Sequence, residues 1–99
     1  MILTTTNSIE GHKIVDYLGI VTGVALNKEV ISMGFSMSKY YAKMQKSIET
    51  VKEEAFQTLK ENAVHLKANA VVGIKVEIEL TTSNYAMVSV TGTAVKVAI

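Results

Sequence analysis

Two histidines and one glutamate are the residues whose types and spacing could bind a metal ion. Glu61 and His65 stand four residues apart in a stretch with helical periodicity, so both side chains project from one helical face. His12, in a polar segment near the N-terminus, could supply a third ligand. The spacing therefore predicts a divalent-metal site made of Glu61, His65 and His12. The competing interpretation is an exposed pair on the solvated side of the helix.

Carboxylates form a second candidate for chemistry. Glu77 and Glu79 alternate with Lys75 along one face of a predicted strand, and Asp16 lies on another strand. In an assembly of several copies these carboxylates could meet and line a channel, or form an active site with a histidine between subunits. The alternative is a solvated face, the usual environment of alternating charges.

Catalytic groups of the nucleophilic type are not predicted to converge. Ser8, His12 and Asp16 have the residue types of a catalytic triad, but steps of four in a loop-and-strand segment give no reason for them to meet. The chain has no cysteine, and its five methionines are interpreted as core filler rather than metal ligands. We therefore predict a protein that is not an enzyme and that carries no evident cofactor beyond a possible divalent metal.

A long amphipathic helix carries Glu61 and His65. The periodicity predicts it over residues 38–66, capped by Ser36 or Ser38. The helix is predicted to end at Lys67, Ala68 and Asn69, where one residue must leave helical geometry, and asparagine tolerates the left-handed conformation better than most residues. The apolar stripe steps by three or four residues through Met37, Tyr41, Met44, Ile48, Val51, Ala55, Leu59, Ala63 and Leu66.

Four strands are predicted from β-branched residues and period-two alternation. Gly19 and Gly23 are interpreted as a bulge, a bend or a close backbone approach, and Gly92 as an interruption of the alternation of the last strand. From Val72 onward, apolar and charged residues alternate, which predicts one dry and one wet face. The predicted strands cover residues 2–6, 14–25, 72–80 and 85–99, with turns at 7–8, 10–12 and 81–84.

These elements predict an α+β fold of one domain spanning residues 1–99. One long helix would pack on a small antiparallel sheet in the order β-β-α-β-β. A net charge of +1 is too small to hold a nucleic acid. With no cysteine, no signal-peptide pattern and no apolar run of membrane-spanning length, the expected location is the cytoplasm, with no membrane partner.

Apolar residues exceed what one helix can cover. The chain is 48% hydrophobic and 19% charged. A helix about 10 Å wide covers about two strands spaced by roughly 4.8 Å. We therefore predict a homo-oligomer in which further copies cover the spare stripe and the strand edges.

Three sequence blocks resemble the YbjQ-like family of small bacterial and archaeal proteins. The resemblance implies a dodecin-like subunit, assembly as a ring that is typically a pentamer, and heavy-metal binding. The chain departs from the family pattern at Val24 and Lys75, where acidic residues are usual, at Lys67, where glycine is usual, and in a shortened loop at 33–37. The blocks are residues 9–23 around IEG and IVDYLGIVTG, residues 68–73 (ANAVVG) and residues 87–95 (MVSVTGTAV).

Two functional hypotheses follow. The first is a non-catalytic homo-oligomer that binds a metal or a small planar ligand, with Tyr40 and Tyr41 as one core and one interfacial aromatic residue. The second is an enzyme whose site assembles across subunit interfaces from carboxylates and histidine.

Overall fold

The chain folds into one long helix on one side of a four-stranded sheet, which confirms the predicted α+β class and element order. The computed structural model describes residues 1–27, 37–80 and 85–99, and for residues 37–41 and 43 it describes the backbone alone. Each predicted element lies within a few residues of its observed bounds. In chain order they are β1 (Ile2–Leu3), β2 (Ile14–Leu26), α1 (Met37–His65), β3 (Ala70–Leu80) and β4 (Ala86–Val97).

The sheet is mixed, so the prediction of an antiparallel sheet is wrong at one strand. The strand order is β1-β3-β4-β2; β4 is antiparallel to both neighbours, and β1 runs parallel to β3. Backbone bonds from Ile2 N to Asn69 O (3.2 Å) and from Thr4 N to Val71 O (3.0 Å) hold β1 in place. Two residues carry no alternation pattern, so the sequence could not indicate which strand β1 would join.

Helix α1 packs on β2 and β4 through its apolar stripe. Val51, Ala55, Leu59 and Ala63 are buried. The contact is close because Gly23 of β2 has no side chain: a Cβ there would lie 2.0 Å from the carbonyl oxygen of Ala55. This confirms the predicted close backbone approach.

The predicted dry face of β3 is only partly correct. Gly73, with φ of 63°, lies at a register shift between Val72 and Lys75, and this bulge turns Val72 to the face opposite Ile74. Beyond the bulge, Val76, Ile78 and Leu80 face the helix side but remain exposed. Among the described residues, the contacts of α1 with the sheet lie mainly on β2 and β4.

The prediction that Gly92 interrupts the alternation of the last strand is wrong, because buried positions continue to alternate from Ala86 through Gly92 to Ala94. β4 pairs with β2 without a register shift at Gly92, which lies opposite Val21. Gly92 serves packing instead, because a Cβ there would lie 2.6 Å from Cγ1 of Val71. The register shift between Tyr17 and Gly19 in β2 confirms the predicted irregularity near Gly19.

Asn69 does not end the helix in the left-handed conformation. Lys67 does so, with φ of 64°. Asn69 instead uses its side chain: Nδ2 donates to the carbonyl oxygen of Val97 (2.9 Å), and Oδ1 accepts from Val97 N (2.8 Å). This pair of bonds joins the start of β3 to the end of β4.

Some predictions fall outside the described residues. These concern Ser36 as a helix cap, the side chains of Tyr40 and Tyr41, and the turn at 81–84. Within the described ranges, no helix combines the length and the apolar character needed to cross a membrane.

Candidate functional site

A half-open cleft lies beside the C-terminal end of α1, where both chain termini meet the sheet. Its volume is about 420 Å³. The C-terminal end of α1 contributes Val64, and the turn before β2 contributes His12. The other lining residues are Met1, Ile2, Ala68, Asn69, Val97 and Ile99. The cleft wall is therefore mainly apolar, with two polar side chains.

The imidazole of His12 is held by the C-terminal segment. Gly11, with φ of 81°, and the backbone bond from His12 N to Ile9 O (3.1 Å) form the turn that positions the ring. Nδ1 lies 3.1 Å from the carbonyl oxygen of Ala98. A carbonyl oxygen can only accept, so Nδ1 carries the proton in the neutral ring and Nε2 is an acceptor. Among the described residues, Nε2 has no hydrogen-bond partner.

The second polar side chain of the cleft, that of Asn69, already has hydrogen-bond partners in the backbone. Both ends of the Asn69 amide are bonded to the backbone of Val97. His12 is therefore the side chain in this cleft with a polar atom free for a ligand.

Glu61 and His65 lie outside the cleft lining. Both are exposed on α1, and His65 is its last residue. Val64, next to His65, lines the cleft, so His12 and His65 lie near the same end of the helix. In the part of the chain that the structure describes, no three side chains of His, Cys, Asp or Glu are grouped to hold a metal ion. Within one chain, Glu61, His65 and His12 are not brought together as three ligands.

The carboxylates are also dispersed within one chain. Glu77 lies opposite Ser89 of β4, whereas Asp16 lies opposite Lys96, seven residues farther along that strand. At about 3.3 Å per residue, the separation is roughly 23 Å. An active site built from these groups would need several copies of the chain.

The triad composition of Ser8, His12 and Asp16 is not matched by triad geometry. In a triad a carboxylate accepts the proton of Nδ1, and here the carbonyl oxygen of Ala98 takes that place.

Sequence reasoning named His12 but missed its surroundings. The partner of the ring is a backbone carbonyl 86 residues away, and the apolar wall comes from the helix end and both terminal segments. No sequence spacing reports such contacts. The one available signal was the polar turn at 10–12, whose glycine favours the tight conformation that presents the ring.

Comparisons with known proteins give a consistent result. A family model described as "Putative heavy-metal-binding" matches residues 1–98. A UPF0145 protein of Clostridium kluyveri is 39% identical over 107 residues, covering 98% of this chain and 99% of the relative. A UPF0145 protein of Acetivibrio thermocellus is 35% identical over 103 residues, covering 96% of this chain and 97% of the relative.

A solved structure supports the fold. A protein of unknown function of the DUF74 family from Pediococcus pentosaceus matches with a TM-score of 0.70 and 19% identity, covering 99% of this chain and 98% of that chain. At this identity the likeness concerns the fold. The family match and the two curated relatives cover nearly the whole sequence, so the chain belongs to the YbjQ family, also designated UPF0145, whose members are described as putative heavy-metal-binding proteins.

Proposed function

We propose that the protein is a non-catalytic homo-oligomer that binds a divalent transition metal through Nε2 of His12. The observation that carries the proposal is the fixed ring: Nδ1 is engaged by the Ala98 carbonyl, His12 lines a half-open cleft, and Nε2 has no hydrogen-bond partner among the described residues. A backbone carbonyl on the far nitrogen is a typical support for a metal-binding imidazole, because it fixes the tautomer and raises ligand basicity.

Imidazole nitrogen suits Zn²⁺, Ni²⁺ and Cu²⁺. Protein zinc sites use three or four protein ligands, whereas this cleft offers one imidazole. Copies of the chain related by symmetry would supply the remaining ligands, so metal binding and self-association belong to the same proposal. The description of the family as heavy-metal-binding supports this choice of ligand.

Calorimetric titration of the purified protein with Zn²⁺, Ni²⁺ and Cu²⁺ tests the site. We expect His12→Ala to abolish the binding heat. The matched control is His65→Ala, which removes the other imidazole of the chain and should leave binding intact. Flat titrations of the unmodified protein would refute the metal proposal. Loss with His65→Ala alone would move the site to the Glu61 and His65 pair.

A small, mainly apolar molecule is the second candidate ligand. The cleft volume of about 420 Å³ lies within the range of small-molecule sites, and its wall is mostly aliphatic. A hydrogen-bond donor on such a molecule would bond to Nε2. Native mass spectrometry of the protein as purified should then find a carried mass that is lost in His12→Ala.

Self-association is supported by the apolar side chains that one chain leaves uncovered. On the face away from the helix, Tyr17 and Ile20 are 70% and 78% exposed. Exposed apolar residues of this size, next to open strand edges, are typical of contacts between chains. Light scattering at micromolar concentration should return a mass above 10.7 kDa. A mass equal to that of one chain would refute the homo-oligomer.

A further inference from the structure

Met1 and His12 line the same cleft beside the C-terminal end of α1. The sequence predicts that the methionines fill the core, but Met1 is 48% exposed and belongs to neither buried cluster of the described core. Its thioether sulfur is a soft metal donor that the core does not enclose. The cleft therefore contains two residue types that bind metal ions, one imidazole and one thioether.

The other residues of the cleft offer no competing ligand. Both ends of the Asn69 amide already bond to the backbone of Val97, at 2.9 and 2.8 Å. Among the lining residues that the structure describes, none has a carboxylate or thiolate side chain. The remaining side chains are aliphatic, those of Ile2, Val64, Ala68, Val97 and Ile99. A cation in this cleft would therefore meet neutral donors and an apolar wall.

The charge of an ion decides how well such a wall accommodates it. The cost of moving an ion from water into an apolar environment rises with the square of its charge, so a divalent ion costs about four times as much as a monovalent ion of the same size. In many protein sites for divalent ions, thiolates or carboxylates offset part of this cost. The cleft of one chain has neither group, so it favours a singly charged ion.

The chemistry of the donors leads to the same class of ion. Thioether sulfur selects Cu⁺ among the first-row metals, and imidazole also binds copper. Soft monovalent ions with a filled d shell form stable complexes with two ligands, whereas zinc sites use three or four protein ligands. Two donors, Nε2 of His12 and Sδ of Met1, therefore match the needs of Cu⁺ or Ag⁺ within one chain.

One of these donors is fixed and the other is adjustable. Nδ1 of His12 lies 3.1 Å from the carbonyl oxygen of Ala98, which leaves Nε2 as the ligand atom. The backbone bond from Ile2 N to Asn69 O (3.2 Å) holds the residue after Met1 at the cleft. The methionine side chain has three rotatable bonds, so its sulfur can adapt to an ion bound at the fixed ring.

We propose that this cleft binds a soft monovalent cation, Cu⁺ or Ag⁺, through Nε2 of His12 and Sδ of Met1 of the same chain. The inference rests on the proposed role of Nε2 in metal binding, and it adds a second ligand and a class of ion. The divalent site proposed above takes its remaining ligands from other copies, whereas this pair requires one chain.

Calorimetric titration with Ag⁺ in a chloride-free buffer tests the pair, because Ag⁺ has the charge and ligand preference of Cu⁺ and needs no reductant. Met1→Leu keeps an apolar side chain of similar size and removes the sulfur. This variant and the unmodified chain are both released from a cleavable N-terminal fusion, so they have the same backbone amine. We expect Met1→Leu to weaken Ag⁺ binding at least about tenfold, because even the loss of a supporting contact costs a metal site that much. His12→Ala should weaken it at least equally.

A matched control and a second readout isolate the sulfur of Met1. Met87→Leu removes a thioether from β4, outside the cleft, and should leave the Ag⁺ affinity unchanged. X-ray absorption of the protein loaded with Cu⁺ should show sulfur and nitrogen bound directly to the metal. The sulfur signal should be lost in Met1→Leu and kept in Met87→Leu.

The outcomes separate this inference from the divalent site. Absence of Ag⁺ binding, an affinity that Met1→Leu leaves unchanged, or equal losses in Met1→Leu and Met87→Leu would each overturn the pair. A Cu⁺ site without sulfur would overturn it as well. If the binding of Zn²⁺, Ni²⁺ or Cu²⁺ were still lost in His12→Ala, the divalent site would stand without the thioether.

Discussion

Lys67 shows how a single residue departs from the pattern of its family while the local structure is kept. Its φ of 64° is the left-handed conformation that follows a helix, and glycine is the usual residue at such a position. Lys67 N donates to Val64 O (2.9 Å), and Ala68 N donates to Ala63 O (3.1 Å). These two bonds define a Schellman cap, and they fix the left-handed residue two positions after the last helical one.

Replacing Lys67 with glycine should stabilise the protein. A side chain in the left-handed region costs about 1 kcal/mol relative to glycine, and the exposed lysine makes no compensating bond in the described structure. We expect Lys67→Gly to raise the free energy of unfolding by about 1 kcal/mol in urea denaturation. The matched control is Lys60→Gly, which should lower it by about 1 kcal/mol because Lys60 lies inside the helix. Equal destabilisation by both variants would contradict the assigned role of Lys67.

His12 shows that the role of a single residue can depend on a partner far away in the sequence. Its residue type made it a candidate ligand, but its chemistry is set by the Ala98 carbonyl, which determines the free ring nitrogen. Asn69 shows the same limit, because its amide bonds to Val97 whereas its residue type had suggested a helix end. In both cases the partner is distant in sequence, and spacing reports only near neighbours.

At the scale of elements, the helix and β2 are matched along their contact. Buried Ala55 and Leu59 lie over Gly23, and Asn62 Nδ2 donates to Thr22 O (2.8 Å). The helical stripe and the strand glycines were visible in the sequence. That Gly23 faces the helix backbone depends on the register of β2 against β4, which the sequence left open.

Adding one methyl group at this contact should be costly. In Gly23→Ala the new Cβ would meet the Ala55 carbonyl oxygen at 2.0 Å and the Leu59 nitrogen at 2.7 Å. These are backbone atoms, so the helix itself must shift, and we expect a loss of about 1–3 kcal/mol in the free energy of unfolding. The control Thr22→Ala changes an exposed neighbour and should cost less than about 0.5 kcal/mol. Thermal denaturation of both variants would measure the difference, and equal melting temperatures would contradict the close contact.

At the scale of the whole molecule, the side chains on the helix side of the sheet are buried on some strands and exposed on others. The central strand β4 is covered on the helix side from Ala86 to Ala94, whereas the far half of β3 is not. The uncovered residues have the same apolar character as their buried neighbours. We attribute this difference to the width of one helix, which lies over β2 and β4.

Substitutions at Ile78 and Val88 should distinguish the stability of the single chain from its self-association. They face each other across β3 and β4, but Ile78 is 47% exposed and Val88 is fully buried. We expect Val88→Thr to lower the free energy of unfolding by about 1–3 kcal/mol, because it buries a hydroxyl group. Ile78→Thr should have a much smaller effect on unfolding of the dissociated chain and should weaken self-association measured by light scattering. Unchanged association in Ile78→Thr would show that Ile78 lies outside the contact between copies.

The sequence by itself determined the element order, the helical stripe, the hairpin of β3 and β4 and the family, because these depend on periodicity and on residues close together in the chain. Tertiary structure alone decided that β1 pairs parallel with β3, that the Gly73 bulge moves Val72 across the sheet, and that His12 lines an apolar cleft with its Nδ1 held by the Ala98 carbonyl. These outcomes depend on strand register and on backbone groups, which every residue carries alike and which therefore leave no mark in the order of side chains.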